Sequence, residues 1–202
     1  MYEKTFKRTL DLILALALAI PFGIVGLIVA ILIKVDSKGH IFFKQERLGQ
    51  DGKIFKIFKF RTMIENAMSV GSGLSTFEGD PRVTRLGSIL RKTSLDEIPQ
   101  LINVIKGEMS FVGPRPPVPY HPKKYKDYSS KEKKRFNVRP GITGYAQVKG
   151  RNSLTWAERF VFDNEYVDSQ SLLLDLKIVS LTLYKIVKSE NIHGPNRRKK
   201  SN

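Results

Sequence analysis

The 202-residue sequence contains no cysteine, which excludes disulfides and thiolate-bound metals. Its three histidines, His40, His121 and His193, are scattered, so a zinc site is not expected and any metal should be a hard ion held by oxygen. Acidic residues are scarce: 19 Asp and Glu stand against 35 Lys and Arg, a formal net charge of +16. That imbalance points to a polyanionic partner, whether nucleic acid, anionic lipid or phosphorylated substrates. The apolar run near the N-terminus is too long for a cleaved signal peptide and lacks a small-x-small cleavage site. The length suggests one domain with an appended element.

That apolar run, residues 12–33, is the strongest compositional signal present. Its 22 residues carry no charge and would extend about 33 Å as a helix, enough to cross a bilayer. Pro21 falls near its middle, with Gly23 and Gly26 just beyond. Basic residues flank both ends: Lys4, Lys7 and Arg8 before it, Lys34 and Lys38 after it. A simple span concentrates positive charge on the cytoplasmic side. Charge on both flanks suits a helix that breaks at Pro21 and returns to the face it entered, although proline also occurs in spanning helices. On these residues alone, re-entry and crossing stand level.

Residues 41–60 read as a hairpin, IFFKQERL and KIFKIFKF, joined by Gly49-Gln50-Asp51-Gly52. Lys53, Lys56, Lys59 and Arg61 are interleaved with Phe55, Phe58 and Phe60. Such alternation suits single-stranded nucleic acid or anionic headgroups, and the neighbouring apolar segment favours headgroups. Residues 65–80 are glycine-rich and aperiodic, a mobile loop by expectation. Residues 82–92 look helical, with Val83, Leu86, Ile89 and Leu90 on one side and Arg82, Arg85, Arg91 and Lys92 forming a basic, solvated face.

Residues 93–116, TSLDEIPQLINVIKGEMSFVGPRP, carry the chemistry. Ser94 and Glu97 have capping-box spacing, and Ile98, Leu101, Ile102 and Ile105 follow at helical intervals. Asp96 would then sit in a first helical turn, where the dipole favours an ionised carboxylate. Ionised, it could attack phosphorus or bind Mg²⁺. Taken alone, Asp96 and Glu97 could equally do no more than start a helix. Arg115, held between Pro114 and Pro116 on stiff extended backbone, suits bidentate binding of phosphate.

Three stretches in order, KFRTM at 59–63, the segment 93–116 and RPGITGYAQVKGRN at 139–152, resemble the bacterial sugar transferase family. Its members include the monotopic polyprenol-phosphate phosphoglycosyl transferases. The resemblance covers nearly the whole chain, from Lys7, Arg8 and Asp11 to Leu174-Asp175-Leu176-Lys177. It implies transfer of a sugar-1-phosphate from a UDP-sugar to a polyprenol phosphate such as undecaprenyl phosphate, releasing UMP. In that scheme Asp96 is the nucleophile and a ligand of Mg²⁺, and Glu97 is its catalytic partner. Arg91, Arg115, Arg139 and Arg151 are the candidates to hold phosphate or nucleotide. Gly141, Gly144 and Gly150 could let backbone N–H groups approach an anion, or could form turns. The resemblance also favours re-entry, with Lys7, Arg8 and Pro21 as membrane-positioning residues at the bacterial cytoplasmic (inner) membrane and the globular part on the cytoplasmic face. Many members carry serine before the helix-breaking proline, where this chain has Ile20.

Towards the C-terminus, residues 123–135 hold seven basic and two acidic residues and read as a solvated or headgroup-facing segment. Trp156, Phe160 and Tyr166 suit an interface as well as a core. Asp163 could support the metal or an arginine, whereas Asp175 reads as structural. Residues 172–187 form an amphipathic helix, apolar at Leu173, Leu176, Leu183 and Val187, that could pack in the core or lie along the bilayer.

The expected architecture is α+β and mainly helical: a membrane re-entrant helix hairpin over 1–36, a small cytoplasmic catalytic domain with amphipathic helices and a short β-hairpin over 37–190, and a basic tail over 191–202. The expected partners are a UDP-sugar, a polyprenol phosphate and anionic membrane lipid, without nucleic acid. The competing readings are a membrane-attached nucleic-acid-binding protein and a scaffold. A lipid acyltransferase needs His-x4-Asp, and the interval from His121 to Asp127 is one residue too long.

Overall fold

A computed structural model describes residues 2–71, 73–74, 76–77, 79–150 and 153–188. The chain is mainly helical with two small two-stranded sheets. It begins with a single turn over Tyr2–Phe6 that leads into α1, Lys7–Asp36. The 30 residues of α1 extend about 45 Å. It is the one helix among the described residues long and apolar enough to cross a membrane, with a mean hydropathy of 2.9 over its central window.

The expected break at Pro21 is absent, and α1 runs through the proline without interruption. Pro21 gives up one backbone N–H, but both halves of the helix are held against one body. Ala15, Leu18 and Phe22 pack with Phe55, Ile57, Leu101, Val104 and Met109. Val25, Val29 and Ile33 pack with Phe60 and Leu90.

Lys7 and Arg8 are likewise not free flanking charges. Lys7 is buried in an ion pair with Asp175. Arg8 donates to the carbonyls of Val104 and Ile105 at 2.6 and 3.0 Å. At the other end Arg61 donates to the carbonyls of Ile33, Lys38 and Ser37, so it closes the helix C-terminus instead of meeting headgroups. A buried cation beside carbonyls that have lost their helical partners satisfies both.

The hairpin forms as expected: β1, Phe42–Leu48, pairs antiparallel with β2, Ile54–Phe60, in a register that places Phe42 opposite Phe60 and Leu48 opposite Ile54. Its basic-aromatic alternation divides between two faces, with Lys53 and Lys56 exposed. Phe55, Ile57 and Phe60 are buried in the core, and Lys59 turns inward. The segment 65–80 is tied down by Arg82, which pairs with Asp80 at 2.7 Å and donates to the carbonyls of Ala67, Val70 and Gly73. Arg82 is therefore a buried staple and not part of a solvated face.

Helix α2, Arg85–Thr93, is capped by Thr84, whose hydroxyl accepts from the Gly87 N–H. Helix α3, Gln100–Lys106, follows, and then β3, Ser110–Val112. Short α4, Ser130–Lys133, has a capping box formed by Ser129 and Glu132. Strand β4, Gly141–Thr143, runs parallel to β3, and α5, Tyr145–Lys149, leaves it directly. The close approach here needs glycine: a Cβ on Gly141 or Gly144 would lie 2.1 Å from Gly113 backbone atoms. These glycines let two backbones meet.

Helix α6, Trp156–Ser169, and α7, Leu172–Val187, complete the body. Phe160 and Tyr166 are core residues. Asp175 accepts from Lys7, from the Tyr2 hydroxyl at 2.6 Å and from the Tyr166 hydroxyl at 2.8 Å, the structural role expected of it. The outer face of α7 leaves Leu173, Leu176, Leu183 and Val187 exposed, so core packing does not claim that stripe. The basic tail over 191–202 lies outside the described residues.

Candidate active site

Two helices and a turn present the acidic pair. Helix α2 ends at Ser94 in a left-handed conformation (φ 59°), and the chain turns through a single 3-10 turn over Leu95–Glu97 before α3 begins. The expected capping box does not form. The Glu97 N–H bonds to the Ser94 carbonyl at 3.1 Å and the Ser94 side chain caps nothing. Pro99, which lacks an N–H, stands at the N-terminal boundary of α3, where that donor would have no intrahelical partner. Asp96 and Glu97 are therefore carried on a tight corner between two helices, and Asp96 is buried beneath it at 8% exposure.

Strand β2 supplies the principal counter-charge. Lys59 Nζ lies 2.5 Å from Glu97 Oε1 and 3.9 Å from Asp96 Oδ2. Arg115 Nη2 reaches the same Glu97 oxygen at 3.1 Å. Glu97 is thus gripped by two cations, whereas among the described residues no hydrogen bond reaches the Asp96 carboxylate. The electrostatics follow. Burial acts to raise Glu97, but Lys59 and Arg115 win and hold its carboxyl well below the usual range. Burial pushes the Asp96 carboxyl up, opposed by Lys59 and assisted by the negative Glu97 beside it. Asp96 does not gain the α-helical first turn expected of it, because the corner offers only a brief 3-10 turn.

Arginines frame the pair. Arg91, on the last turn of α2, donates to the Thr62 hydroxyl at 2.8 Å and lines the cleft that holds Asp96. Arg115 is steadied from behind. Arg135 donates to its carbonyl at 2.7 Å and Arg47 to the Pro116 carbonyl at 2.9 Å. Arg135 in turn pairs with Asp163 at 2.8 Å, both side chains fully enclosed, so Asp163 serves an arginine. Burial, helped by the nearby Arg115, pushes the Arg47 guanidinium down to about 10. Lys59, Arg91 and Arg115 on its wall suit the cleft to anions. The cleft is open, about 1780 Å³, and its lining includes Lys59, Arg91, Asp96, Glu97, Arg115 and Arg159.

One candidate arginine is not brought there. Arg139 donates to the Gly107 carbonyl at 3.0 Å, where α3 has ended, and is absent from the cleft wall. A helix end with unpaired carbonyls attracts it more strongly than an empty cleft does. Arg151 lies outside the described residues. Conversely, Lys59, Arg47 and Arg135 belong to the site or its support and were not singled out from sequence. Lys59 lies inside the KFRTM stretch, and its register opposite Phe43 put it on the same face as buried Phe55 and Ile57. Nothing local distinguishes Arg47 or Arg135. No group of three or more His, Cys, Asp or Glu side chains that could hold a metal occurs among the described residues.

A buried carboxylate without donors, beside a second one neutralised by an ammonium and a guanidinium in an open cationic cleft, is the equipment of an enzyme that handles phosphorylated substrates. A family model described as bacterial sugar transferase matches residues 2–189. The chain is 42% identical over 191 residues to the sugar transferase EpsL of Bacillus subtilis, covering 94% of this chain and 91% of that protein. It is 42% identical to the exopolysaccharide production protein ExoY of Sinorhizobium fredii, covering 88% and 83%. It is 41% identical to the UDP-glucose:undecaprenyl-phosphate glucose-1-phosphate transferase of Escherichia coli, covering 91% of this chain but 40% of that longer protein. The chain belongs to the bacterial sugar transferase family and is a phosphoglycosyl transferase.

Proposed function

We propose that this protein moves a sugar-1-phosphate from a UDP-sugar to a polyprenol phosphate such as undecaprenyl phosphate, releasing UMP. The observation that carries the reading is the unequal treatment of two adjacent carboxylates: Glu97 holds two cations, and Asp96 holds none closely. In the first half-reaction an Asp96 oxygen attacks the β-phosphorus of the donor. The bond from that phosphorus to the bridging oxygen breaks, and UMP departs with the electron pair. In the second, a phosphate oxygen of the acceptor attacks the same phosphorus, the aspartyl P–O bond breaks, and the Asp96 carboxylate is restored. Lys59, Arg91 and Arg115 offset the charge that accumulates when a carboxylate approaches a diphosphate. Glu97 keeps Lys59 and Arg115 aimed at that point.

The donor set suits Mg²⁺, which is typically held by one or two carboxylates with substrate phosphates completing its shell. Asp96, which has no hydrogen-bond partner among the described residues, would be its protein ligand. There the ion would neutralise negative charge shared between carboxylate and phosphate.

Attachment to the membrane without crossing it belongs to the same proposal. Both ends of α1 are bonded to one folded body, Lys7 and Arg8 at one end and Ile33 and Ser37 at the other. A crossing helix would place those ends in opposite aqueous compartments. The outward face, with Ile20, Ile24, Leu27 and Ile31 exposed, is the part offered to lipid. The globular part then lies on the cytoplasmic face of the inner membrane.

The test is incubation of protein, Mg²⁺ and a panel of UDP-sugars without acceptor. The expected result is a burst of UMP equal to the enzyme concentration and a protein mass increased by one phosphosugar. Turnover with acceptor but without either signal would mean direct transfer in a ternary complex.

A further inference from the structure

The proposed reaction brings two unlike substrates to one carboxylate. The donor is water-soluble throughout, whereas the acceptor must deliver a charged head while its hydrocarbon chain stays out of water. One stretch of the cleft wall combines both characters. The last turns of α7 present Thr182, Leu183, Lys185 and Ile186 to the cleft that holds Asp96, positions that share one face of a helix. Leu183 also belongs to the exposed apolar stripe that runs along α7 through Leu173, Leu176 and Val187. The stripe therefore shares Leu183 with the cleft wall. Phe22 of α1 lines the same cleft, and its neighbours Ile20 and Ile24 are exposed.

Lys185 stands within this apolar lane, and among the described residues it has no ion-pair or hydrogen-bond partner. The other basic groups near the acidic pair are engaged: Lys59 and Arg115 by Glu97, Arg135 by Asp163, Arg91 by Thr62. An unclaimed ammonium flanked by leucine and isoleucine matches a phosphate monoester on a long hydrocarbon.

We infer that the C-terminal turns of α7 form the acceptor subsite. Lys185 binds the phosphate of the polyprenol phosphate, and Leu183, Ile186 and Phe22 take up its first isoprene units. This rests on the function proposed above and adds a residue set that separates acceptor from donor.

The experiment measures acceptor KM in neutral detergent, with the donor-only UMP burst measured beside it. Lys185→Gln is expected to raise acceptor KM about tenfold or more, the loss of one hydrogen bond to a charged group. Its burst should match the wild type, and Lys185→Arg should recover most of the affinity. Ile186→Ser should weaken a long-chain acceptor more than a short prenyl phosphate. Unchanged acceptor KM in both Lys185→Gln and Ile186→Ser overturns the subsite. A defect confined to anionic vesicles and absent in neutral detergent also overturns it, because Lys185 would then be serving the membrane surface. If the wild type itself gives no burst, the covalent route fails, while the acceptor KM comparison still decides the subsite.

Discussion

Asp175 and Asp96 are exposed to nearly the same small extent, 6% and 8%, yet their surroundings differ in kind. Asp175 joins the start of α1 to α6 and α7 and accepts from an ammonium and two phenols. Asp96 sits on a corner between α2 and α3 with its nearest cation 3.9 Å away. A buried carboxylate saturated with donors stabilises the fold, and one left unsaturated must find its partners in a ligand. The arginines divide in the same way. Arg8, Arg82 and Arg139 are spent on backbone carbonyls, whereas Arg91 and Arg115 face the cleft.

Exchanging each aspartate for asparagine should separate these roles. Asp96→Asn should cut turnover on the order of 10⁴-fold, as removal of a nucleophile does, and abolish the UMP burst while leaving thermal unfolding nearly unchanged. Retained full turnover would exclude Asp96 as the nucleophile. Asp175→Asn should behave in the opposite sense. It strands buried Lys7, so denaturant unfolding should show a loss of about 3–5 kcal/mol, with near-normal activity per folded molecule.

The Asp80–Arg82 staple sharpens the comparison through pH. The hydrogen bonds from Arg82 hold the Asp80 carboxyl below its ordinary value. Its contribution is therefore present above the unfolded pKa of about 3.9 and is lost as pH falls through the lower folded value. Asp80→Asn should cost about 3 kcal/mol at neutral pH, and the gap to the wild type should narrow in acid. A gap that is constant with pH would show that the ion pair is not what holds the segment. The smallest effect is expected at Arg139. Arg139→Ala should lower stability by about 1 kcal/mol and leave donor KM within about twofold, since its guanidinium serves Gly107. A large rise in donor KM would return Arg139 to the cleft.

Much of this arrangement was legible before any coordinates. The hairpin over residues 41–60 followed from alternation and its glycine turn, and α7 coincides with the amphipathic run over 172–187. The long motifs pointed to Asp96, Glu97 and Arg115, and Arg91 stands two residues before one of them; all four line the cleft. Charges were where the reading failed. Lys7, Arg8, Arg61 and Arg82 read as surface cations, and each has a partner distant in sequence or a cluster of orphan carbonyls to satisfy. Ser94 shows the same limit at short range: its spacing to Glu97 fits a capping box, but the end of α2 forces it into a left-handed turn.

Periodicity, length and motif are properties of neighbouring residues, so the sequence by itself determined the apolar helix, the hairpin, the acidic pair and the family. Which cation meets which anion was decided only by the tertiary structure. A long flexible side chain has no preferred partner until packing removes water from around it, and the cost of leaving a buried charge or carbonyl unpaired then selects one. That selection committed Lys7, Arg8, Arg61, Arg82 and Arg139 to holding α1 and the loops and, among the described residues, left Asp96 and Lys185 without close partners beside the cleft.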